Sequence, residues 1–336
     1  MKVLVTGGSG FLGSHVADSL TALGHKVLIY DIKRSKWIKK NQKMIVGNIL
    51  DIKKLSKYIR NSDIIYNFAG LADMDIARFR PIDTVKLNIL SLVKILEIAK
   101  KFKVKRFVQA SSVYSNSEEG GFYGKSKRAA EDYIFEFNKT FNLPFTILRY
   151  GSLYGSRADN NNGIKKLIFS AKKRKKIIYR GNKEAVRRYI HVEDAAKLTS
   201  SILSNKYKNK VFTITGKRKI KVKDLIKFLS KKFKISSRKN IYLNEKNTAH
   251  YKFKPTPIIK KKGKNIFVRK ERNFLKSIVK IIWDMKKQLI NKFRSKLKNG
   301  KYTIGGWMQI CDSNIAEIMA DCDYEWITFD LEHGSF

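Results

Sequence analysis

The sequence predicts an α/β protein built on a doubly wound parallel sheet, with a smaller lobe following it. Apolar strand-like runs recur at residues 2–6 (KVLVT), 27–30 (VLIY), 63–68 (DIIYNF), 106–109 (RFVQ) and 145–148 (FTIL). Segments of helical pattern, such as 87–101, lie between them. The first run enters the turn Gly7-Gly8-Ser9-Gly10-Phe11-Leu12-Gly13, and a helical pattern continues from there to Leu23. Strands that alternate with helices form right-handed βαβ units, whose parallel sheet is covered on both faces.

After Arg149 the alternation loosens. Residues 163–176 and 222–233 read as helices around short strands at 176–179 and 211–215, which predicts a substrate-binding lobe over 151–290 beside a core over 1–150. Residues 252–272 hold two of the four prolines and many charges, and read as a boundary or an irregular surface passage. From 274 to 297, Ile278, Ile281, Ile282, Met285, Leu289 and Phe293 recur near a 3.6 period, which predicts a packed C-terminal helix; a membrane-surface helix is the alternative. Residues 291–302 read as a linker.

Composition narrows the class. A chain of 336 residues exceeds the usual single core. No stretch approaches the ~18 apolar residues needed to span a bilayer, and the N-terminus runs directly into the glycine turn, so a cytoplasmic location without a membrane span is expected. The two cysteines, Cys311 and Cys322, give the main domain no disulfide framework. The net charge of +44 is spread along the chain together with Ile and Asn. That spread argues for compositional bias over a nucleic-acid-binding face, while still favouring anionic substrates.

The glycine turn satisfies both Gly8-x-Gly10-x-x-Gly13 and Gly7-x-x-Gly10-x-x-Gly13. Between a strand and a helix, such glycines let the backbone approach a pyrophosphate at the helix N-terminus. Asp31 ends the second strand, where a carboxylate accepts hydrogen bonds from the adenosine ribose; this favours NAD. Lys33 and Arg34 follow it and keep NADP open, since cations there meet a 2′-phosphate.

Tyr123 and Lys127 form a Tyr-x-x-x-Lys motif on a helical segment, and the i, i+4 spacing places phenol and ammonium on one face. A free phenol titrates near ~10 and is a weak base at neutral pH. A neighbouring ammonium and a positive nicotinamide both favour phenolate, which equips Tyr123 to take the proton of a substrate hydroxyl during hydride transfer. Ser112, at the carboxyl end of the 106–109 strand, is expected to orient the substrate oxygen.

With these motifs the sequence resembles the extended short-chain dehydrogenases, the NAD-dependent epimerase/dehydratase group with a Rossmann core. The likeness runs over residues 1–290 and includes Asn67-Phe68-Ala69-Gly70, Leu87-Asn88, Ala110-Ser111-Ser112, Leu148 to Gly155 and Arg187 to Asp194. It implies a catalytic set of Tyr123, Lys127 and Ser112. It implies cofactor contacts from Gly7, Gly10, Phe11, Leu12, Gly13, Asp31, Asn48, Ile49, Ala69, Gly70, Asn88 and Lys127, and nucleotide-sugar contacts from Ser152 and Arg187. A homodimer is also implied. Two departures shape the expectation: Asn48 stands where the family has Asp, and two residues are missing after Ser112. The dehydratases' Asp-Glu pair is replaced by Val113-Tyr114, which favours 4-epimerisation or simple oxidoreduction over loss of water. A non-catalytic NAD sensor, or a charge-driven nucleic-acid or membrane binder, is the competing reading. His15, His25, His191 and His250 lack metal-ligand spacing, so no metal is expected.

Residues 303–336 follow another pattern: a strand at 303–308, a short helix at 314–319 and a strand at 324–330 leading into Leu331-Glu332-His333-Gly334. This resembles the first βαβ unit of the HpcH/HpaI aldolases, metal-dependent (β/α)8 enzymes in which Asp330 and His333 would form a proton relay. A barrel needs ~250 residues. The fragment is therefore expected to be inactive: the start of a second enzyme fused to the first and cut short by gene truncation or by an incomplete sequence, with a mere C-terminal appendage as the alternative.

Overall fold

The computed structural model of this chain describes residues 1–243, 263–300, 302–308, 315, 319 and 326–329. It comprises two compact units, Met1–Phe274 and Leu275–Phe336.

The first unit begins β1 (Lys2–Thr6), α1 (Phe11–Ala22), β2 (Lys26–Asp31), β3 (Gln42–Val46), α2 (Ile52–Ile59), β4 (Ile64–Asn67), α3 (Met74–Phe79) and α4 (Pro81–Val85). A π-helical turn (Lys86–Leu90) leads into α5 (Ser91–Lys101), β5 (Arg106–Ser112), α6 (Gly121–Phe141) and β6 (Phe145–Tyr150). The lobe adds β7 (Ser152–Tyr154), α7 (Gly163–Arg174), β8 (Ile177–Arg180), β9 (Val186–Arg187) and β10 (Tyr189–His191). Then come α8 (Val192–Ser200), β11 (Lys210–Ile214), β12 (Ile220–Lys221), α9 (Val222–Lys232), β13 (Asn240–Leu243) and β14 (Lys264–Ile266).

Eight strands form one sheet in the order β3-β2-β1-β4-β5-β6-β11-β14, parallel throughout. The strand alternation of the sequence thus becomes the doubly wound fold. Alternation within β1 shows why two helical layers are needed: Val3 and Val5 face one core cluster and Leu4 the other. Helices α1 and α8 pack over the first, and α2, α5 and α6 over the second. Each fully buried aliphatic side chain contributes about 1.5–3 kcal/mol. The chain winds outward from β1 to β3, then crosses back to β4. The order reverses between β1 and β4, the switch point at whose carboxyl edge such sheets bind ligands.

Within 252–272 the described residues are not all irregular. Residues 264–266 form β14, which pairs with β11 and extends the sheet. Just beyond it, Arg272 pairs with Asp194 and with Glu193 (2.6 Å), and Phe274 stacks on Tyr189 at 5.2 Å. His191 caps α8, its Nδ1 accepting the Glu193 N–H at 3.3 Å. Burial brings this imidazole down to about 4, so it is neutral and free to accept.

Helix α10 (Phe274–Lys298) runs on through 291–298, which makes that part of the expected linker helical. In the second unit β15 (Gly305–Met308) and β16 (Trp326–Phe329) pair in parallel, Gly305 opposite Trp326, and Ile315 and Met319 are helical. Asp330 and His333 lie outside the described residues.

Candidate active site

Gly7 ends β1 with φ +72°, and a Cβ there would lie 2.5 Å from the Ala69 nitrogen. At Gly13 a Cβ would meet the Gly7 carbonyl oxygen at 2.2 Å. Both close approaches are to backbone, which has no flexible end to move aside. Gly10 is the N-cap of α1 and no side chain caps that helix, so its start is presented to an anion. Asp31 closes the arrangement: its Oδ2 accepts the Ser9 N–H at 2.9 Å and its Oδ1 the Lys33 N–H at 3.0 Å. Each oxygen keeps a further lone pair for a ribose hydroxyl. A glycine cradle, an uncapped helix start and an anchored carboxylate fit a dinucleotide. In the turn after β3, the Asn48 carbonyl accepts from the Tyr30 hydroxyl at 3.1 Å and Asn48 Oδ1 from the Leu50 N–H at 2.9 Å, beside buried Ile49.

At the switch point a buried ladder ties three strand ends together. Thr6 Oγ1 donates to Asn67 Oδ1 at 2.6 Å, and Asn67 Nδ2 to Gln109 Oε1 at 2.9 Å. Ala69 and Gly70 follow directly. Asn88, on the π-helical turn, makes three amide hydrogen bonds within the protein. Its Oδ1 accepts the Leu71 N–H at 2.8 Å, and its Nδ2 donates to the Leu71 carbonyl at 3.0 Å and Ser126 Oγ at 2.9 Å. Asn88 therefore staples the Gly70 turn to α6.

Helix α6 carries Tyr123 and Lys127 on one face, as the spacing predicts. Tyr123 and Ser112 line the same cleft. Lys127 Nζ lies 5.8 Å from the Tyr123 ring centroid and donates to the Ala110 carbonyl at 3.1 Å. Burial raises the Tyr123 phenol while Ser112 opposes this, and burial brings the Lys127 ammonium down to about 8 against the pull of Glu131. Only eight residues separate Tyr114 from Tyr123. Arg128 draws this short connection onto the helix, its Nε donating to the Ser115 carbonyl at 2.9 Å and Nη2 to that of Ser117 at 2.8 Å. Ser112 and Tyr123 consequently share one cleft despite the missing residues.

A cleft of about 1380 Å³ opens beside this group, lined by Ser112, Tyr123, Ser152 and Arg187 among others. Arg187 is buried, with the hydroxyls of Tyr114 at 3.5 Å and Tyr179 at 3.4 Å. Arg78, Arg174, Arg180 and Arg188 also line the cleft, outnumbering Asp73, Asp75 and Glu184. A positive cleft of this size suits a phosphorylated ligand. Among the described residues, no group of three or more His, Cys, Asp or Glu is placed to hold a metal.

Sequence reasoning missed the Glu131–Arg149 pair behind Lys127. One signal was available: Glu131 stands four residues beyond Lys127, so Tyr123, Lys127 and Glu131 share one helix face.

The parallel sheet and the glycine cradle are features of the dinucleotide-binding short-chain dehydrogenase class. Within that class, the chain belongs to the NAD-dependent epimerase/dehydratase family, whose sequence pattern matches residues 3–215. It is 28% identical over 239 residues to the dTDP-D-glucose 4,6-dehydratase of Dictyostelium discoideum, covering 60% of this chain and 55% of that protein. It is 26% identical over 238 residues to a UDP-N-acetyl-alpha-D-glucosaminuronate decarboxylase of Bacillus cytotoxicus, covering 63% of this chain and 74% of that one. The UDP-glucuronic acid 4-epimerase of Bacillus cereus, solved with UDP-glucuronic acid and NAD, superposes with TM-score 0.70 at 23% identity, over 86% of this chain and 100% of that one.

Proposed function

We propose that the chain is an NAD-dependent 4-epimerase of a nucleotide sugar, with Tyr123 as the proton-transferring group. The convergence of Ser112, Tyr123, Ser152 and Arg187 on one cleft, with Lys127 Nζ 5.8 Å from the Tyr123 ring centroid, carries this reading. Gly7, Gly10, Phe11, Leu12, Gly13 and Asp31 would hold the dinucleotide, and Asn48, Ile49, Ala69 and Gly70 would border it. Bound NAD supplies the acceptor and donor of a hydride at the sugar carbon. Ser112 holds the sugar oxygen, Tyr123 Oη takes and returns its proton, and the Lys127 ammonium stabilises the phenolate. Ser152 and Arg187 meet the nucleotide diphosphate. Loss of water needs a further acid and base beside the serine, and Val113 and Tyr114 supply no carboxylate there.

The test is to incubate the purified chain and NAD with a panel of UDP- and dTDP-sugars, separating and weighing the products. A product of unchanged mass and altered retention is expected. Products lighter by one water would overturn the epimerase assignment, and NAD binding without turnover of any sugar would leave a sensor.

Helices α3, α4 and α6 pack together and leave Phe79, Ile82, Val85 and Phe122 exposed, an apolar patch suited to a second copy of the chain. Sedimentation should show a dimer that Ile82→Lys weakens. A wild-type chain that stays monomeric at high concentration would exclude that partner.

A further inference from the structure

Behind Lys127, away from the cleft, is a buried ionic cluster for which the proposed proton transfer gives no account. Glu131 is 2% exposed and Arg149, from β6, is 7% exposed. Arg149 Nε donates to both Glu131 oxygens, at 3.0 and 3.1 Å, and Nη2 to Oε2 at 2.5 Å. The same carboxylate accepts from Ser111 Oγ at 2.5 Å and from Ser115 Oγ at 2.6 Å. Those two serines flank Ser112, and Ser115 Oγ is also within 2.8 Å of the Ser112 carbonyl. One carboxylate thus gathers the end of β5, the turn after it, β6 and α6.

A buried pair of this kind is a weak source of stability, because desolvating both ions offsets most of their attraction. Its placement suggests another role. We propose that Glu131 is a positioning residue, which holds the Ser112 backbone in place at the cleft shared with Tyr123 through Ser111 and Ser115 and sets a negative charge one helical turn behind the Lys127 ammonium. This inference rests on the proton-transfer reading above.

The electrostatic surroundings support it. Among the described residues, Glu131 is the ionisable group whose charge acts on Lys127. Arg149 faces Glu131 from β6, and on α6 Arg128 is engaged with the Ser115 and Ser117 carbonyls while Asp132 is exposed. The helices and turn that also pack on α6 (α3, α4, the π-helical turn and α5) bring Asp73, Asp75, Arg78, Arg80, Asp83, Lys86, Lys94, Glu97, Lys100 and Lys101, none of them buried. The Ala110–Ser112 end of β5 offers Lys127 a carbonyl and two hydroxyl side chains, but no charge.

The experiment compares E131Q, E131D and the double variant E131Q/R149M with wild type. Three readings are taken: kcat and KM across pH, thermal unfolding, and the phenolate titration of Tyr123. The last is isolated as the absorbance difference between each protein and its Y123F counterpart. In E131Q the amide cannot balance Arg149, so Lys127 should lose its proton at lower pH and phenolate should form at higher pH. A fall in kcat of about 10-fold or more is expected at neutral pH, with sugar KM little changed. E131D should recover part of kcat. E131Q/R149M removes the unpaired guanidinium and should restore thermal unfolding but neither kcat nor the titration. Recovery of all three in the double variant would reduce the pair to a structural tie and overturn the proposal, as would an unchanged pH profile in E131Q. If E131Q does not fold, E131D and the double variant decide the matter. Should wild type turn over no sugar, the epimerase reading fails, and the Tyr123 titration still tests Glu131.

Discussion

Tyr123→Phe is expected to lower kcat by about 10³-fold or more, within the range set by loss of a positioned proton-transfer group, while NAD still binds. The substitution removes one oxygen and keeps the ring that Lys127 overlies at 5.8 Å. Steady-state kinetics and NAD titration check this together. Turnover within tenfold of wild type would mean that another group moves the proton. The pH dependence of the wild type should follow from two opposed shifts. Burial raises the Tyr123 phenol, so without added positive charge it holds its proton through neutral pH. Lys127 titrates at about 8, so its cation is complete below that pH and is lost above it. Chemistry that needs phenolate beside ammonium should therefore climb with pH, then decline above about 8 as Lys127 becomes neutral.

Gly13→Ala carries the other large effect. The new methyl group would lie 2.2 Å from the Gly7 carbonyl oxygen and 2.9 Å from its carbon. Relief requires α1 to move away from β1, and with it the uncapped helix start proposed to meet the pyrophosphate. NAD affinity should fall by at least about 100-fold, roughly the loss of two phosphate-directed hydrogen bonds, and stability by about 2 kcal/mol. Calorimetric titration and thermal unfolding measure the two separately. Gly24→Ala is the control: its φ of +78° is also left-handed, but nothing lies within 4 Å of a Cβ there. It should cost about 1 kcal/mol of backbone strain and leave NAD binding unchanged. Equal loss of binding in both variants would show that the glycine turn acts through stability alone.

These two sites were legible in the sequence for local reasons. Gly7, Gly10 and Gly13 lie between a strand and a helix whose ends dictate their spacing, and Tyr123 and Lys127 are separated by one helical turn. Ser112 was harder to place, because its position in the cleft depends on Arg128 pulling the following turn onto α6. Residues that act across the chain were not legible. Glu131 meets Arg149 only because β5 and β6 are neighbours, and Asn88 links two loops with three hydrogen bonds that no pattern announces. Strand β14 has three residues inside a charged stretch and exists through its pairing with β11. The lobe strands β9 and β12 are two residues each, too short for a period to show.

The Thr6–Asn67–Gln109 ladder separates two jobs that evolution or an engineer can alter independently. It cross-braces the strand ends that set cradle, serine and tyrosine relative to one another, through buried amides whose loss would leave polar atoms unsatisfied. The opposite wall, with Ser152, Arg174, Arg180 and Arg187, comes from short strands and a helix outside that brace. On the proposed reading, exchanging residues on that wall should change which sugar is accepted while leaving Tyr123, Lys127 and Ser112 in place.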